Sequence, residues 1–262
     1  MNKNNNKIIL CIFCFIIILL LFTFFIISSK SCKYEKYESK NIPLKIYQTW
    51  NTKNLSKPMK ETVENLKKQN PEFDHFLFDD NDCIEFIYKY FHKDVLDAFN
   101  KLKPGAYKAD LWRLCVLYIN GGVYIDIKMS CVNNFKLIEI IDKEHYVKDR
   151  SWTKGKIYNG FLVCKKGNPF LIDCINQIVT NTKSNYYGDV AIDPTGPGLL
   201  RYVMLKNKYK LNLDMFHAEE GGFIKYKNKN IISTKYNEYY SVDNKPDTNY
   251  RTFYDNKDIY ND

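Results

Sequence analysis

Four charged residues stand inside the most apolar stretch that follows the N-terminal segment, and their spacing suggests paired work. Asp110 and Arg113 are three apart where Leu111, Leu114, Cys115 and Tyr118 recur at helical period, so the two charges share a helix face away from the apolar stripe. Asp126 and Lys128 are two apart where Val123, Ile125 and Ile127 alternate with polar residues, so strand period puts them on one face. A surface ion pair and a capping acid are the bland readings. Against them, an unpaired charge in such surroundings is costly. Ligands of α/β sheets also bind at the carboxyl ends of strands, where Asp126 falls.

The elements that must position these charges can be read outward from them. Pro104-Gly105 is a turn, Ala106 to Ile119 a helix, and Gly121-Gly122 its stop. Upstream, Leu44 to Trp50 reads as a first strand. Ser56-Lys57-Pro58 opens a helix that buries Met59, Val63 and Leu66. His75 to Phe78 is a second strand. The acids Asp79, Asp80 and Asp82 are read as caps of the helix after it rather than as a metal cluster. Downstream come a helical Leu137 to Asp142, a strand from Ile157 to Cys164 containing Asn159-Gly160, and a helix from Phe170 to Val179. A rigid turn, Asp193 to Gly198, leads into a helix from Leu199 to Leu205. The Tyr- and Asn-rich stretch from Asn228 reads as strands and a loose tail. This order is that of a nucleotide-binding α/β sheet.

Composition narrows the function. The chain has 262 residues and a formal charge of +9, from 39 Lys and Arg against 30 acids. Such a balance suits an anionic ligand or a membrane surface. Nucleic acid ranks lower, because no compact basic block or zinc-finger spacing occurs. Ile8 to Ile27 is an apolar run of the length that spans a bilayer, about 20 residues. It predicts a transmembrane anchor at 8–27 after a polar tail at 1–7. A stem follows at 28–41 and a folded domain at 42–262. A cleaved signal is the rival reading. By lysine count the positive-inside rule favours a cytosolic domain. Cys83, Cys115 and Cys164, among apolar residues, are expected to be buried thiols.

The pattern Ala109-Asp110-Leu111-x-Arg113-x-x-x-Leu117-Tyr118-x-x-Gly121-Gly122-Val123-Tyr124-x-Asp126 resembles the DXD-containing sugar transferases. These include the fungal initiation-type α-1,6-mannosyltransferases and the inositol-phosphoceramide mannosyltransferases. The sequence departs from the family at Lys128, where the second acid of Asp-x-Asp belongs. The resemblance implies a single Rossmann-like transferase domain of the GT-A type. It implies transfer of a mannosyl-like hexosyl group from a nucleotide sugar to a hydroxyl of a glycan or glycolipid, with retention of configuration. It also implies a lumenal domain, against the lysine count. Asp110 would bind sugar hydroxyls, Arg113 would add charge near the phosphates, and Tyr124 would line the donor pocket. Gln48 and Trp50 would end the strand near the nucleotide base. Asn159 and Thr195 would also face the donor, Thr195 in a Thr-Gly-Pro turn that closes the site. Asp126 and His217 would hold Mn²⁺ or Mg²⁺, weakened by Lys128. The rival functions are a tethered nucleotide-sugar or glycan-binding protein without catalysis, which Lys128 favours, and a basic membrane-surface scaffold.

Overall fold

The computed structural model describes residues 42–243 and 249–261. The expected tail, anchor and stem at 1–41 lie outside the described residues. No helix among the described residues is long and apolar enough to cross a membrane.

Among the described residues, nine strands form one mixed sheet. They are β1 (Lys45–Thr49), β2 (Asp74–Phe78), β3 (Gly122–Ile125), β4 (Ser130–Cys131), β5 (His145–Lys148), β6 (Ile157–Cys164), β7 (Met215–His217), β8 (Phe223–Tyr226) and β9 (Lys229–Ser233). The order across the sheet is β2-β1-β3-β6-β5-β7-β8-β9-β4. Strands β2, β1 and β3 run parallel, with Ile46 beside His75 and Val123. Strand β6 then pairs antiparallel with both β3 and β5. The parallel trio therefore ends on one edge, at Thr49, Phe78 and Ile125, where a ligand crevice is expected.

The helices are α1 (Lys57–Gln69), α2 (Asp80–Tyr90), α3 (Lys93–Lys101), α4 (Gly105–Asn120), α5 (Pro169–Lys183), α6 (Pro197–Lys206), α7 (Tyr239–Val242) and α8 (Tyr250–Asp255). On one sheet face Tyr47, Tyr124 and Leu162 pack into a core with residues of α2 to α6. On the other, Ile46, Val123, Ile125 and Val163 pack with Leu66 of α1. The acids after β2 do cap α2: the Asp79 carboxylate accepts from the Asp82 N–H at 3.0 Å, and the Asp82 carboxylate from the Asp79 N–H at 2.9 Å. Cys83, Cys115, Cys131, Cys164 and Cys174 are all buried free thiols.

The structure differs from the sequence reading in five places. Helix α4 is buried nearly all round, from Asp110 to Tyr118, because it packs between the sheet and α5. Its charged pair therefore does not lie on a solvent face. Strand β3 stops at Ile125, and residues 126–129 form a turn closed by Met129 N–H on Asp126 C=O at 2.9 Å. The alternation misleads because Ile127 is buried for another reason, against Met59 and Val63 of α1. Helix α3 was not expected. Its Val95, Ala98 and Phe99 give the buried face. The chain after Asn228 is not a loose tail: it forms β9, α7 and α8, and Tyr260 bridges to Leu102. The stretch at 137–142 is a single 3₁₀ turn, Leu137–Ile140.

The α4–β3 junction shows why two glycines stand there. Gly121 and Gly122 have φ of 66° and 114°. A Cβ at Gly121 would meet the Lys166 nitrogen at 2.6 Å, and one at Gly122 the Lys45 carbonyl at 2.7 Å. Only glycine reaches these conformations without strain and lets β3 lie this close to β1.

Candidate active site

Arg113 organises the site. It lies on α4 and is only 4% exposed. Its Nε donates to the Ala109 carbonyl at 3.0 Å, and its Nη1 to the Asn159 carbonyl at 2.6 Å. Nη2 lies 3.1 Å from Asp110 Oδ1, and Nη1 lies 3.5 Å from Asp126 Oδ1. The guanidinium also stacks 4.5 Å from the centre of the Tyr124 ring. A planar fork held at this many points has one orientation. Burial would pull its charge off, but the Tyr124 phenol and the carboxylates of Asp110 and Asp126 hold its pKa above the ordinary value.

Asp110 is spent on this arrangement. Its Oδ1 accepts from Asn159 Nδ2 at 2.8 Å, and its Oδ2 from the Thr195 hydroxyl at 2.8 Å. Burial pushes its carboxyl up, opposed by Arg113 and by the hydrogen bonds from Thr195 and Asn159. The loop carrying Thr195 comes this close because the next residue is Gly196, where a Cβ would lie 3.1 Å from Asp110 Oδ2.

Asp126 sits just past the end of β3. Its Oδ1 accepts from the Tyr124 hydroxyl at 3.0 Å, and its Oδ2 lies 3.5 Å from Lys128 Nζ. A side chain at Gly160 would collide with this carboxylate, 2.8 Å from Oδ2. The glycine of the Asn159-Gly160 pair is thus what seats Asp126 against β6. The Lys128 ammonium lies 4.9 Å above the Tyr239 ring, and its side chain is 26% exposed. Burial acts to lower its pKa, but Asp126 and the surrounding tyrosines more than offset that and hold it raised.

Arg113, Tyr124, Asp126 and Lys128 open on a cavity of about 640 Å³, together with Thr49 and Trp50. That volume suits a small-molecule ligand. Its charged lining is Lys103, Lys108, Arg113, Lys128 and Arg251 with Asp80, Asp126 and Asp243, and Lys103, Lys108 and Arg113 are paired with Asp258, Asp80 and Asp110.

Of the residues singled out in the sequence, Asp110, Arg113, Tyr124, Asp126, Lys128, Asn159 and Thr195 form one connected network, and Trp50 lines the cavity beside it. Gln48 lies elsewhere. It is fully buried under the sheet, where His75 Nε2 meets its Oε1 at 2.8 Å and its Nε2 donates to the Asp126 carbonyl at 3.5 Å. It buttresses the turn from behind. His217 is also apart: Nδ1 lies 3.2 Å from Asp149 Oδ1, and Nε2 is 3.0 Å from Arg150 Nη2. Sequence reading missed the cover of the cavity, Tyr239, Tyr240 and Asp243 with Asn249, Tyr250, Arg251 and Phe253. The clustered Tyr239-Tyr240 and Tyr250-Arg251 were the available signal.

These side chains do not fit a divalent ion at Asp126. One carboxylate oxygen faces a guanidinium and a phenol, the other an ammonium. Both nitrogens of His217 are engaged. No group of three or more His, Cys, Asp or Glu able to hold a metal occurs among the described residues.

Comparison with known proteins bears on the same region. Residues 56–147 match the family described as glycosyltransferase sugar-binding region containing DXD motif. Inositol phosphoceramide mannosyltransferase 3 of Schizosaccharomyces pombe is 26% identical over 144 residues, covering 54% of this chain and 38% of that protein. The initiation-specific alpha-1,6-mannosyltransferase of Candida albicans is 31% identical over 96 residues, covering 34% of this chain and 25% of that protein. The matches thus span well under half the length of these relatives. Among solved structures, the PaToxG glycosyltransferase superposes with a TM-score of 0.51 at 16% identity, covering 64% of this chain and 70% of that one. The fold is a mixed α/β glycosyltransferase fold, and the resemblance read from Ala109 to Asp126 falls inside the matched region.

Proposed function

We propose that this chain, similar to the DXD-containing sugar transferases, transfers a hexosyl group from a nucleotide sugar to an acceptor hydroxyl on a glycan or lipid. The donor sugar is mannosyl-like, in keeping with the relatives' names. The domain is of the single Rossmann-like, GT-A type, and it works behind a membrane anchor on the lumenal side of a secretory compartment. The observation that carries the reading is Arg113, fixed at five points and aimed with Asp126 at a cavity past the ends of the parallel strands.

The chemistry follows from what the side chains can do. Cleaving a sugar–phosphate bond builds negative charge on the leaving diphosphate, so the main demand is a preorganised positive environment. A guanidinium already locked in place reorganises little as that charge grows. Asp110, Asn159 and Thr195 act through Arg113 by holding it. Asp126 keeps Arg113 and Lys128 apart at the rim and faces the sugar. With retention, the acceptor attacks on the face the diphosphate leaves. Its proton passes to a phosphate oxygen, which needs no second protein carboxylate.

The test is a donor panel. The full chain, incubated with UDP- and GDP-linked hexoses, should release nucleoside diphosphate from one of them, and Arg113→Lys should abolish release. A second reading, binding without catalysis, is favoured by Lys128 in the place of an acid. It would show as a ligand-dependent rise in melting temperature with no release from any donor.

A further inference from the structure

We infer that the Lys128 ammonium is the built-in cation of this site, receiving the diphosphate of the donor so that a nucleoside diphosphate binds without a divalent ion. This rests on the donor-site reading above and concerns what neutralises the phosphates there.

Three independent observations lead to it. The first is position. Lys128 stands in the Asp126-Ile127-Lys128 turn, where the resemblance read from the sequence puts the second acid of the acid-x-acid motif. The turn holds its ammonium 3.5 Å from Asp126 Oδ2, over the face of Tyr239, at the wall of the cavity. A positive charge already occupies the ground beside Asp126 that a metal would need. The second is the donor set. Asp126 is the carboxylate at this turn, each of its oxygens already faces a cation, and His217 is held by Asp149 and Arg150. A site that gathers a divalent ion carries an excess of acid around it. Here four of the five cations that line the cavity already face a carboxylate, Lys103 on Asp258, Lys108 on Asp80, Arg113 on Asp110 and Lys128 on Asp126, so no excess of acid gathers at Asp126. The ground beside Asp126 thus holds an ammonium where a divalent ion would need a further acid. The third is freedom to move. Arg113 is locked, whereas Lys128 is held by one carboxylate and one ring face and is a quarter exposed. An ammonium on a four-carbon stem can swing from Asp126 to a phosphate oxygen while the turn stays fixed.

The experiment is calorimetric titration of the full chain with UDP and GDP, in EDTA and again in Mn²⁺. The inference expects one of the two nucleotides to bind in EDTA within about twofold of its affinity in Mn²⁺. Lys128→Gln should weaken binding in EDTA by about tenfold to a hundredfold, the worth of one charge-assisted contact. Lys128→Arg should retain most of it. Lys128→Asp, which restores the acid, should make binding depend on Mn²⁺. If Lys128→Gln melts well below the wild type, Lys128→Met, which keeps the packing of the stem, carries the same comparison. Binding by wild type only in Mn²⁺ would overturn the inference and leave the donor site standing, as would binding in EDTA that Lys128→Gln and Lys128→Met leave unchanged. Failure of both nucleotides to bind in both buffers would overturn the donor-site reading and the inference together.

Discussion

Two cations stand on either side of Asp126, and the protein treats them differently. Arg113 comes from the middle of a buried helix. Its contacts reach Ala109 and Asp110 on α4, Asn159 on β6, and through Asp110 the Thr195 loop. Lys128 comes from a turn and leans on one carboxylate and one tyrosine ring. The first charge is part of the core, and the second is mounted on its edge. Such a pair divides the work: a fixed charge sets the geometry of a leaving group, and an adjustable one follows it as it departs. The two should therefore fail in different ways when removed.

The largest effect is expected from Arg113→Ala. It leaves Asp110 and Asp126 as buried carboxylates without their cation, which costs about 3–5 kcal/mol. Urea unfolding should show the loss as a lower midpoint, and donor cleavage should vanish. Asp110→Asn keeps the shape and removes one charge, so its cost should be smaller, about 1–3 kcal/mol. An Arg113→Ala protein as stable as wild type would show that the network is not part of the core. That would dissolve the contrast.

Lys128→Gln sharpens the contrast from the other side. Its ion pair is partly exposed, so the loss in stability should be about 1 kcal/mol or less, while donor affinity falls as described above. A stability loss as large as that of Arg113→Ala would make both cations structural.

The smallest effect concerns the prop beneath the turn. Burial pushes the His75 imidazole down to about 4 from an ordinary 6.5. The folded protein thus keeps it neutral, hydrogen-bonded to Gln48, which in turn reaches the Asp126 carbonyl. As pH falls below 6.5, the unfolded chain takes up a proton that the folded chain refuses. Stability is then lost progressively down to about pH 4 and levels off below it. His75→Gln should flatten that part of the profile in thermal melts at stepped pH. An unchanged slope would mean that the acid response lies in the carboxylates instead.

What the sequence made legible follows the same division. The Arg113 half was readable because its parts lie close together in the chain: Asp110, Arg113, Tyr124 and Asp126 fall within one helix, one glycine stop, one strand and the residue after it. Asn159-Gly160 and Thr195-Gly196 were readable as punctuation, although not why glycine was needed. The structure supplies the reason, close approach to Asp126 in one case and to Asp110 in the other. The Lys128 half was harder. Alternation runs through Ile127 and hides the end of β3, since burial against α1 imitates strand burial. Tyr239 and Tyr250 come from a polar stretch with no period, and their clustering marks the stretch without saying that it lines the cavity. His217 looked like a ligand because its partners, Asp149 and Arg150, lie far away in the chain. Gln48 was placed at the donor because strand period leaves open which face the larger set of helices covers.

The central claim is that the cavity past β1, β2 and β3 receives the nucleotide end of a sugar donor. Hydrogen–deuterium exchange of the full chain, with and without saturating UDP or GDP, tests it most directly. The account predicts slowed exchange in the turn from Asp126 to Met129 and in the lining segments Tyr239–Asp243 and Asn249–Phe253. Little change is predicted on the far strands β7 to β9. Protection by a bound nucleotide that spares these segments and falls elsewhere would contradict it.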